Sequence, residues 1–127
     1  MTIESLEQMQ LGARDGYVAC ALWSCTDDAG ESFDYLNYSA DDVDVATLAA
    51  MHDECDQFVA AYLALIVESG MTPEQCGHDL WLTRNRHGAG FWDRGYPKAV
   101  SDALTEAAHL EGSRDLYIGD DGRIYQS

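Results

Sequence analysis

Seven carboxylates are crowded into the nineteen residues from Thr26 to Asp44. The Gly, Ser, Asn and Asp content of this segment is typical of a loop. Carboxylates so close together repel one another unless a cation or a basic surface neutralises them, so the loop is a candidate binding site. The acids are Asp27, Asp28, Glu31, Asp34, Asp41, Asp42 and Asp44. Apolar side chains that alternate with them are candidate anchors for a partner: Phe33, Tyr35, Leu36 and Tyr38.

The acidity continues onto the helix that follows and is confined to one part of the chain. Asp53, Glu54 and Asp56 extend the row of acids away from the apolar stripe of that helix. Residues 1–79 carry a charge of −15, from 16 Asp/Glu and one Arg, while residues 80–127 carry −1, from 7 Asp/Glu and 6 Lys/Arg. Acidity that serves only solubility or salt adaptation is the alternative interpretation, but it predicts charge spread over the whole chain.

A segregated row of carboxylates suggests mimicry of nucleic acid. Duplex DNA presents one negative charge per roughly 1.7 Å of axis, and its protein partners carry matching Lys/Arg arrays. A folded acidic body can occupy such an array in place of DNA, through charge complementarity and release of counterions. The expected partner is therefore a protein with a basic DNA-binding cleft. The net charge of −16 disfavours direct binding to nucleic acid or to anionic membranes.

Catalytic and metal-binding patterns are weaker. His78, His87, Asp79 and Asp93 are titratable, but their spacing matches no nucleophile elbow, phosphate loop or metallohydrolase motif, so no enzyme and no cofactor are predicted. No EF-hand calcium loop is present in the acidic segment. A tetrahedral metal site remains an alternative, built from one HxxC pair and one CxH pair: His52, Cys55, Cys76 and His78.

The segment Gly77–Gly95, GHDLWLTRNRHGAGFWDRG, concentrates Trp, Phe, Arg and His. Residues 78–83 alternate in polarity, residues 86–90 supply a Gly-bearing connection, and Phe91-Trp92 begins a return, so the pattern predicts a β-hairpin. Its aromatic side chains are expected to fill the core. The alternative is a recognition surface for a protein partner, formed by Trp81, Arg84, Arg86 and Trp92.

The remaining periodicities predict an α+β fold in one domain, residues 1–127, with three to four helices packed on one face of an antiparallel sheet of about four strands. A short helix is expected over Thr2–Leu11, ending near Gly12, and a buried helix over Arg14–Ser24. Two further helices are bracketed by caps, Asp44 to Gly70 and Pro97 to Gly112. A second hairpin joins Leu116–Ile118 to Arg123–Tyr125 through a Gly-Asp-Asp-Gly turn.

The cysteines and the N-terminal sequence favour a reducing compartment. Cys20, Cys25, Cys55 and Cys76 are interpreted as free thiols, because no export signal or membrane span accompanies them. Cys20 and Cys55 lie within apolar patterns and are expected in the core. The predicted location is the cytoplasm.

GHDLWLTRNRHGAGFWDRG together with LYIGDDGRIY resembles a family of small acidic phage and plasmid proteins without an established activity, over about Gly16 to Tyr125. That resemblance implies counter-defence or takeover of host DNA enzymes, in the cytoplasm of a bacterial host cell. More loosely, Glu4-Ser5-Leu6 and Glu31-Ser32-Phe33 are similar to an acid-Ser-apolar motif of phage inhibitors of uracil-DNA glycosylase. In those inhibitors the acid and the Ser imitate phosphate contacts, and neighbouring apolar residues receive a Leu of the enzyme. Glu31-Ser32 is the better candidate, because it lies in the acidic loop.

These observations predict a DNA-mimic inhibitor whose first candidate target is uracil-DNA glycosylase, followed by restriction or CRISPR nucleases. A regulatory or interaction module that uses the Trp/Arg segment is the second hypothesis. A His/Cys metal-binding protein is the third.

Overall fold

The computed structural model describes residues 3–127, and the side chains of residues 5–127. Thr2 and the side chain of Glu4, which belong to the predicted first helix and to the first acid-Ser motif, lie outside this range. Residues 3–127 fold into four helices and two strands: α1 (Ile3–Ser24), α2 (Val45–Ser69), α3 (Pro73–Arg84), α4 (Lys98–Glu111), β1 (Leu116–Ile118) and β2 (Ile124–Gln126). Short 3-10 turns span Ala40–Asp42 and Phe91–Asp93.

The predicted α+β class with a sheet of about four strands is wrong, because the described chain is mostly helical and its sheet has two strands. The error lies in Gly77–Gly95, which is not a hairpin. Its first half belongs to α3, which Thr72 caps by accepting a hydrogen bond from the Gln75 N–H at 3.2 Å. The second half of α3 is enclosed on all sides, since residues 79–84 are all buried. A helix enclosed on all sides has no polar face, so its sequence lacks the 3.6-residue period.

Helix α1 is a single element, so the predicted break near Gly12 is wrong, while the predicted helix over Arg14–Ser24 is confirmed. The glycines of α1 serve its packing against α3. A Cβ atom at Gly16 would collide with the carbonyl of Glu74, and one at Gly77 would collide with the carbonyl of Ala13. The two helices therefore approach each other at backbone distance.

The two helices that were predicted from their capping residues, α2 and α4, are confirmed. Asp44 accepts a hydrogen bond from the Thr47 N–H at 3.0 Å, and Gly70 ends α2 in the left-handed region at φ 77°. Helix α4 lies between Pro97 and Gly112, as predicted. Its inward face holds Val100, Leu104, Ala107 and Ala108, all of them buried.

The predicted hairpin at the C-terminal end is confirmed, and it holds the start of α2. β1 and β2 are antiparallel, with Tyr117 opposite Tyr125. The other side of β2 pairs with Val43 through a parallel bridge at Ile124, whose carbonyl accepts from the Asp44 N–H at 2.9 Å. Since Ile124 and Val43 are buried, the hairpin anchors the end of the acidic segment to the core.

The core is aromatic at its centre. The rings of Tyr17 and Trp81 meet edge to face at 5.3 Å, and those of Phe58 and Phe91 stack at 5.9 Å. The Trp81 indole N–H donates to the Ser24 hydroxyl at 2.8 Å, so this buried polar group is satisfied. All four cysteines are buried free thiols. None of the helices within residues 3–127 has both the length and the apolar content needed to cross a bilayer.

Candidate functional site

The acidic loop, residues 26–44, connects α1 to α2 and is fastened to the body at both ends. Near its start, the Phe33 N–H donates to the Cys25 carbonyl at 3.2 Å and the Asp34 N–H donates to the Leu22 carbonyl at 3.0 Å. The Phe33 side chain is only 1% exposed and belongs to the core. Phe33 therefore holds the loop in place and is not available as an anchor for a partner, contrary to the sequence-based interpretation.

Three of the seven loop acids hold the loop's own backbone. Asp27 accepts from the N–H groups of Ala29 and Glu31 at 3.0 and 2.9 Å, which closes a turn. Asp42 accepts from the Ser39 N–H at 2.8 Å and completes a capping box around the 3-10 turn. Asp44 caps α2. These contacts fix the conformation in which the remaining acids are displayed.

The remaining acids of the loop are Asp28, Glu31, Asp34 and Asp41, and all four are exposed. Asp53, which follows on α2, is also exposed and accepts from the Gln57 amide at 2.7 Å. Across residues 5–127, no Lys, Arg or His side chain lies within ion-pair distance of any loop carboxylate. The loop thus presents negative charge that the molecule itself does not neutralise.

The two other acids expected to extend the row are paired internally. Asp56 binds Arg14 through both carboxylate oxygens, with Arg14 Nε at 2.8 Å from Oδ1. Glu54 lies 3.3 Å from both Arg84 Nη1 and Arg114 Nε. Because these pairs join distant elements, Glu54 and Asp56 stabilise the fold and contribute little free charge to a partner.

Two of the predicted apolar anchors are well placed for a partner. Tyr35 is 73% exposed and Leu36 is 38% exposed, and both follow directly after Asp34. The Ser32 hydroxyl accepts from the Tyr35 N–H at 3.1 Å and shapes this turn. Tyr38 is half-buried, with its ring edge to face with Phe33 at 5.7 Å.

A groove of about 330 Å³ runs between α1, the acidic loop and α2. This loop groove has an apolar floor formed by Val18, Leu22 and Leu48, and carboxylates at its edge from Asp15 and Asp34. Asp15 and the groove were not predicted from the sequence, since three segments far apart in the chain create the groove. The available signal was the i, i+3, i+7 spacing of Asp15, Val18 and Leu22, which places them on one face of α1.

His52 and Arg14 also line the loop groove, but neither gives it a free positive charge at neutral pH. Burial and the nearby Arg14 guanidinium lower the pKa of His52 from its ordinary value, so the imidazole is neutral. Arg14 is held by Asp56. The electrostatic character of the groove is therefore set by its two exposed carboxylates.

The alternative metal site finds no support. Cys55 and Cys76 are buried in the core, while His52 lines the loop groove and His78 stacks on Trp23 at 6.2 Å between ring centres. Burial raises the pKa of Cys76 to about 12, which disfavours the thiolate that a metal requires. Among the side chains described, no three His, Cys, Asp or Glu residues form a group able to hold an ion.

The Trp/Arg segment does not form the surface that the alternative hypothesis required. Trp81 and Arg84 are buried, whereas Arg86 and Trp92 are exposed. Residues considered for catalysis in the same segment have structural contacts: the buried Asp79 accepts from Arg94 Nη2 at 2.8 Å, and Asp93 accepts from the Gly90 N–H at 3.0 Å. His78 and His87 line a separate groove of about 400 Å³.

The chain matches no protein-family model, no curated protein and no solved structure. Its distribution of charge, its exposed side chains and its hydrogen bonds are therefore the features that bear on function.

Proposed function

We propose that this protein is a DNA mimic that inhibits a DNA-processing enzyme by occupying its basic DNA-binding cleft. The observation that carries the proposal is the density of exposed carboxylates in the acidic loop that have no basic partner among residues 5–127. Within the described part of the chain, four exposed loop acids have no basic side chain within ion-pair distance: Asp28, Glu31, Asp34 and Asp41. The nearby arginines form ion pairs outside the loop, Arg14 with Asp56, and both Arg84 and Arg114 with Glu54.

The fixed conformation of the loop favours tight binding. A loop that is already ordered loses less conformational entropy when it meets a partner. Turns closed by Asp27, Asp42 and Ser32, together with the buried Phe33 and Val43, supply that order. Charge complementarity raises the rate of encounter with a basic cleft, and release of counterions from both surfaces adds to the affinity.

Two exposed side chains supply contacts that do not depend on charge. Tyr35 and Leu36 project among the loop acids, and apolar or aromatic groups at the centre of an interface often dominate its binding energy. A basic DNA-binding surface with an apolar depression near its centre is therefore the best fit to this loop.

The first candidate target is uracil-DNA glycosylase, and restriction or CRISPR nucleases are the next. Support for the first comes from the similarity of Glu31-Ser32-Phe33 to the acid-Ser-apolar motif of its phage inhibitors. Glu31 is exposed as such a contact requires. The burial of Phe33 differs from a motif whose apolar residue meets the enzyme, so Tyr35 and Leu36 take that part in the proposal.

The test is an inhibition assay against uracil excision from duplex DNA, repeated with the nucleases, at low and moderate salt. Asp28→Asn, Glu31→Gln, Asp34→Asn and Asp41→Asn are combined in one variant. Exposed ion pairs are worth about 0.2–1 kcal/mol each, so loss of four is expected to weaken inhibition roughly 100-fold. Wild-type inhibition should also weaken as salt rises and as competing duplex DNA is added.

A matched control removes the same amount of charge from exposed acids outside the loop: Glu7→Gln, Glu68→Gln, Glu106→Gln and Asp120→Asn. This variant is expected to inhibit like the wild type, within a few-fold. If the two quadruple variants inhibit equally, or if the wild type inhibits none of the enzymes, the proposal is rejected.

A further inference from the structure

We propose that the loop groove receives a single Lys or Arg side chain of the partner protein, with the aliphatic stem on its floor and the cation at its edge. The inference rests on the proposed function, because the occupant belongs to the same basic surface that the acidic loop would meet. The groove would give the interface one specific pocket, in addition to the charge complementarity between the acidic loop and the basic surface of the partner.

The floor of the groove suits the stem of a long basic side chain. Val18 and Leu22 are almost fully buried, and the half-buried Leu48 closes the floor from α2. Lys and Arg place their methylene groups along apolar surface while their charged ends remain near water. A volume of about 330 Å³ is sufficient for one such side chain and lies at the small end of ligand sites.

The edge of the groove suits a cation. Asp34 from the acidic loop and Asp15 from α1 are both exposed, and neither is in an ion pair with the side chains described. Tyr38 also lines the groove, and aromatic rings attract cations placed over their faces. The neutral His52 and the Asp56-bound Arg14 do not oppose this charge.

Other occupants fit less well. A metal ion needs several ligands around it, and the residues from 5 to 127 contain no such group. An anion would face Asp15 and Asp34, and a purely apolar side chain would leave both carboxylates unused. Asp34 is both one of the exposed loop acids and a lining residue of the groove, so a basic surface docked on the loop would reach the groove.

The experiment titrates N-acetyl-arginine amide and N-acetyl-lysine amide into the isotope-labelled full-length chain, at constant ionic strength. Binding is followed by NMR through the methyl signals of Val18, Leu22 and Leu48. We expect saturable shifts with dissociation constants on the order of 1 mM, which is typical for ligands of this size. N-acetyl-norleucine amide, which has the stem alone, and guanidinium ion, which has the charge alone, should bind at least about tenfold more weakly.

Two variants locate the site and one serves as a control. Ala19→Phe places a ring in the groove from an exposed position on α1 and should abolish the methyl shifts. Asp34→Asn removes the charge at the edge and should weaken binding about fivefold or more. Asp28→Asn removes an equal charge from the same loop outside the groove, and should leave binding within twofold.

The inference is overturned if norleucine amide binds as well as the basic probes, or if neither Ala19→Phe nor Asp34→Asn weakens them. It is also overturned if spermidine binds the groove about 100-fold more tightly than the amino-acid amides, since the occupant is then a free polyamine. If the groove rejects the probes while inhibition still depends on the loop acids, only this inference fails. If it binds them and no DNA enzyme is inhibited, the proposed function fails and the cation site stands.

Discussion

The sequence around Arg84 does not indicate the contacts that its side chain makes, because its partners lie far away in the chain. The side chain is only 3% exposed and donates to the carbonyls of Glu111 and Gly112 at 2.9 and 2.7 Å. It also donates to the Tyr17 hydroxyl at 2.8 Å and lies 3.3 Å from Glu54. Arg84 therefore closes the C-terminal end of α4 while linking α3 to α1 and α2.

Arg84→Met is expected to lower the free energy of unfolding by about 3 kcal/mol, because it removes the hydrogen bonds to the buried Tyr17 hydroxyl and to the last carbonyls of α4. Glu54 keeps Arg114 and Gln126 as partners, which limits the loss. Arg84→Lys should not restore stability, since an ammonium group lacks the planar fork that reaches several acceptors. Urea denaturation measures these changes.

The control for Arg84 is Arg86→Met, two residues further along the same segment, where the side chain is exposed. Exposed substitutions away from special contacts usually change stability by less than about 0.5 kcal/mol. Equal unfolding midpoints for the two Met variants would show that the buried network around Arg84 contributes nothing.

At the scale of elements, the crossing of α1 and α3 depends on glycine. Gly77 lies in the middle of α3 against the Ala13 carbonyl and the Tyr17 backbone nitrogen. Within a helix, Ala is normally favoured over Gly by about 0.5–1 kcal/mol. The absence of a side chain at Gly77 is therefore a requirement of packing, and it has a cost in helix propensity.

Gly77→Ala is expected to destabilise the protein by about 1–3 kcal/mol, because the added methyl group forces two packed backbones apart. The corresponding fall in the midpoint of thermal unfolding is roughly 5–10 °C for a chain of this size. Gly88→Ala is the matched control, since a Cβ atom there meets nothing within 4 Å. A Gly77→Ala variant as stable as the wild type would mean that the helix crossing is looser than described.

The elements that the sequence predicted correctly are those with local signals. Asp44 and Gly70 bracket α2, Pro97 and Gly112 bracket α4, and the turn at residues 119–122 marks the hairpin. Helix α3 was missed because burial on all sides removes the periodic polar face from its sequence. The acidic loop was located correctly, but the sequence could not show that Glu54 and Asp56, which follow the loop on α2, are paired with arginines. Those pairs join residues 30 or 42 positions apart, such as Arg84 with Glu54 and Arg14 with Asp56.

At the scale of the whole molecule, an acidic exterior surrounds a core that contains every thiol. The net charge is −16, yet Cys20, Cys25 and Cys76 are buried among apolar side chains. Burial raises the pKa of each of these three thiols to about 12 from an ordinary value of 9.0. The same effect raises the pKa of Cys55. In the folded protein these thiols therefore keep their protons up to a higher pH than they do in the unfolded chain.

This difference in protonation predicts that stability falls as pH rises above about 9. Below that pH the thiols are protonated in both states and contribute no pH dependence. Between about pH 9 and 12 the unfolded chain binds fewer protons than the folded one, so each buried thiol lowers the free energy of unfolding by up to about 1.4 kcal/mol per pH unit. Urea midpoints at pH 7, 8, 9, 10 and about 10.5 measure the slope. The combined Cys20→Ala, Cys25→Ala and Cys76→Ala variant should lose stability less steeply over the same interval, whatever its stability at pH 7. Equal slopes for the variant and the wild type would show that the buried thiols do not cause the loss of stability at high pH.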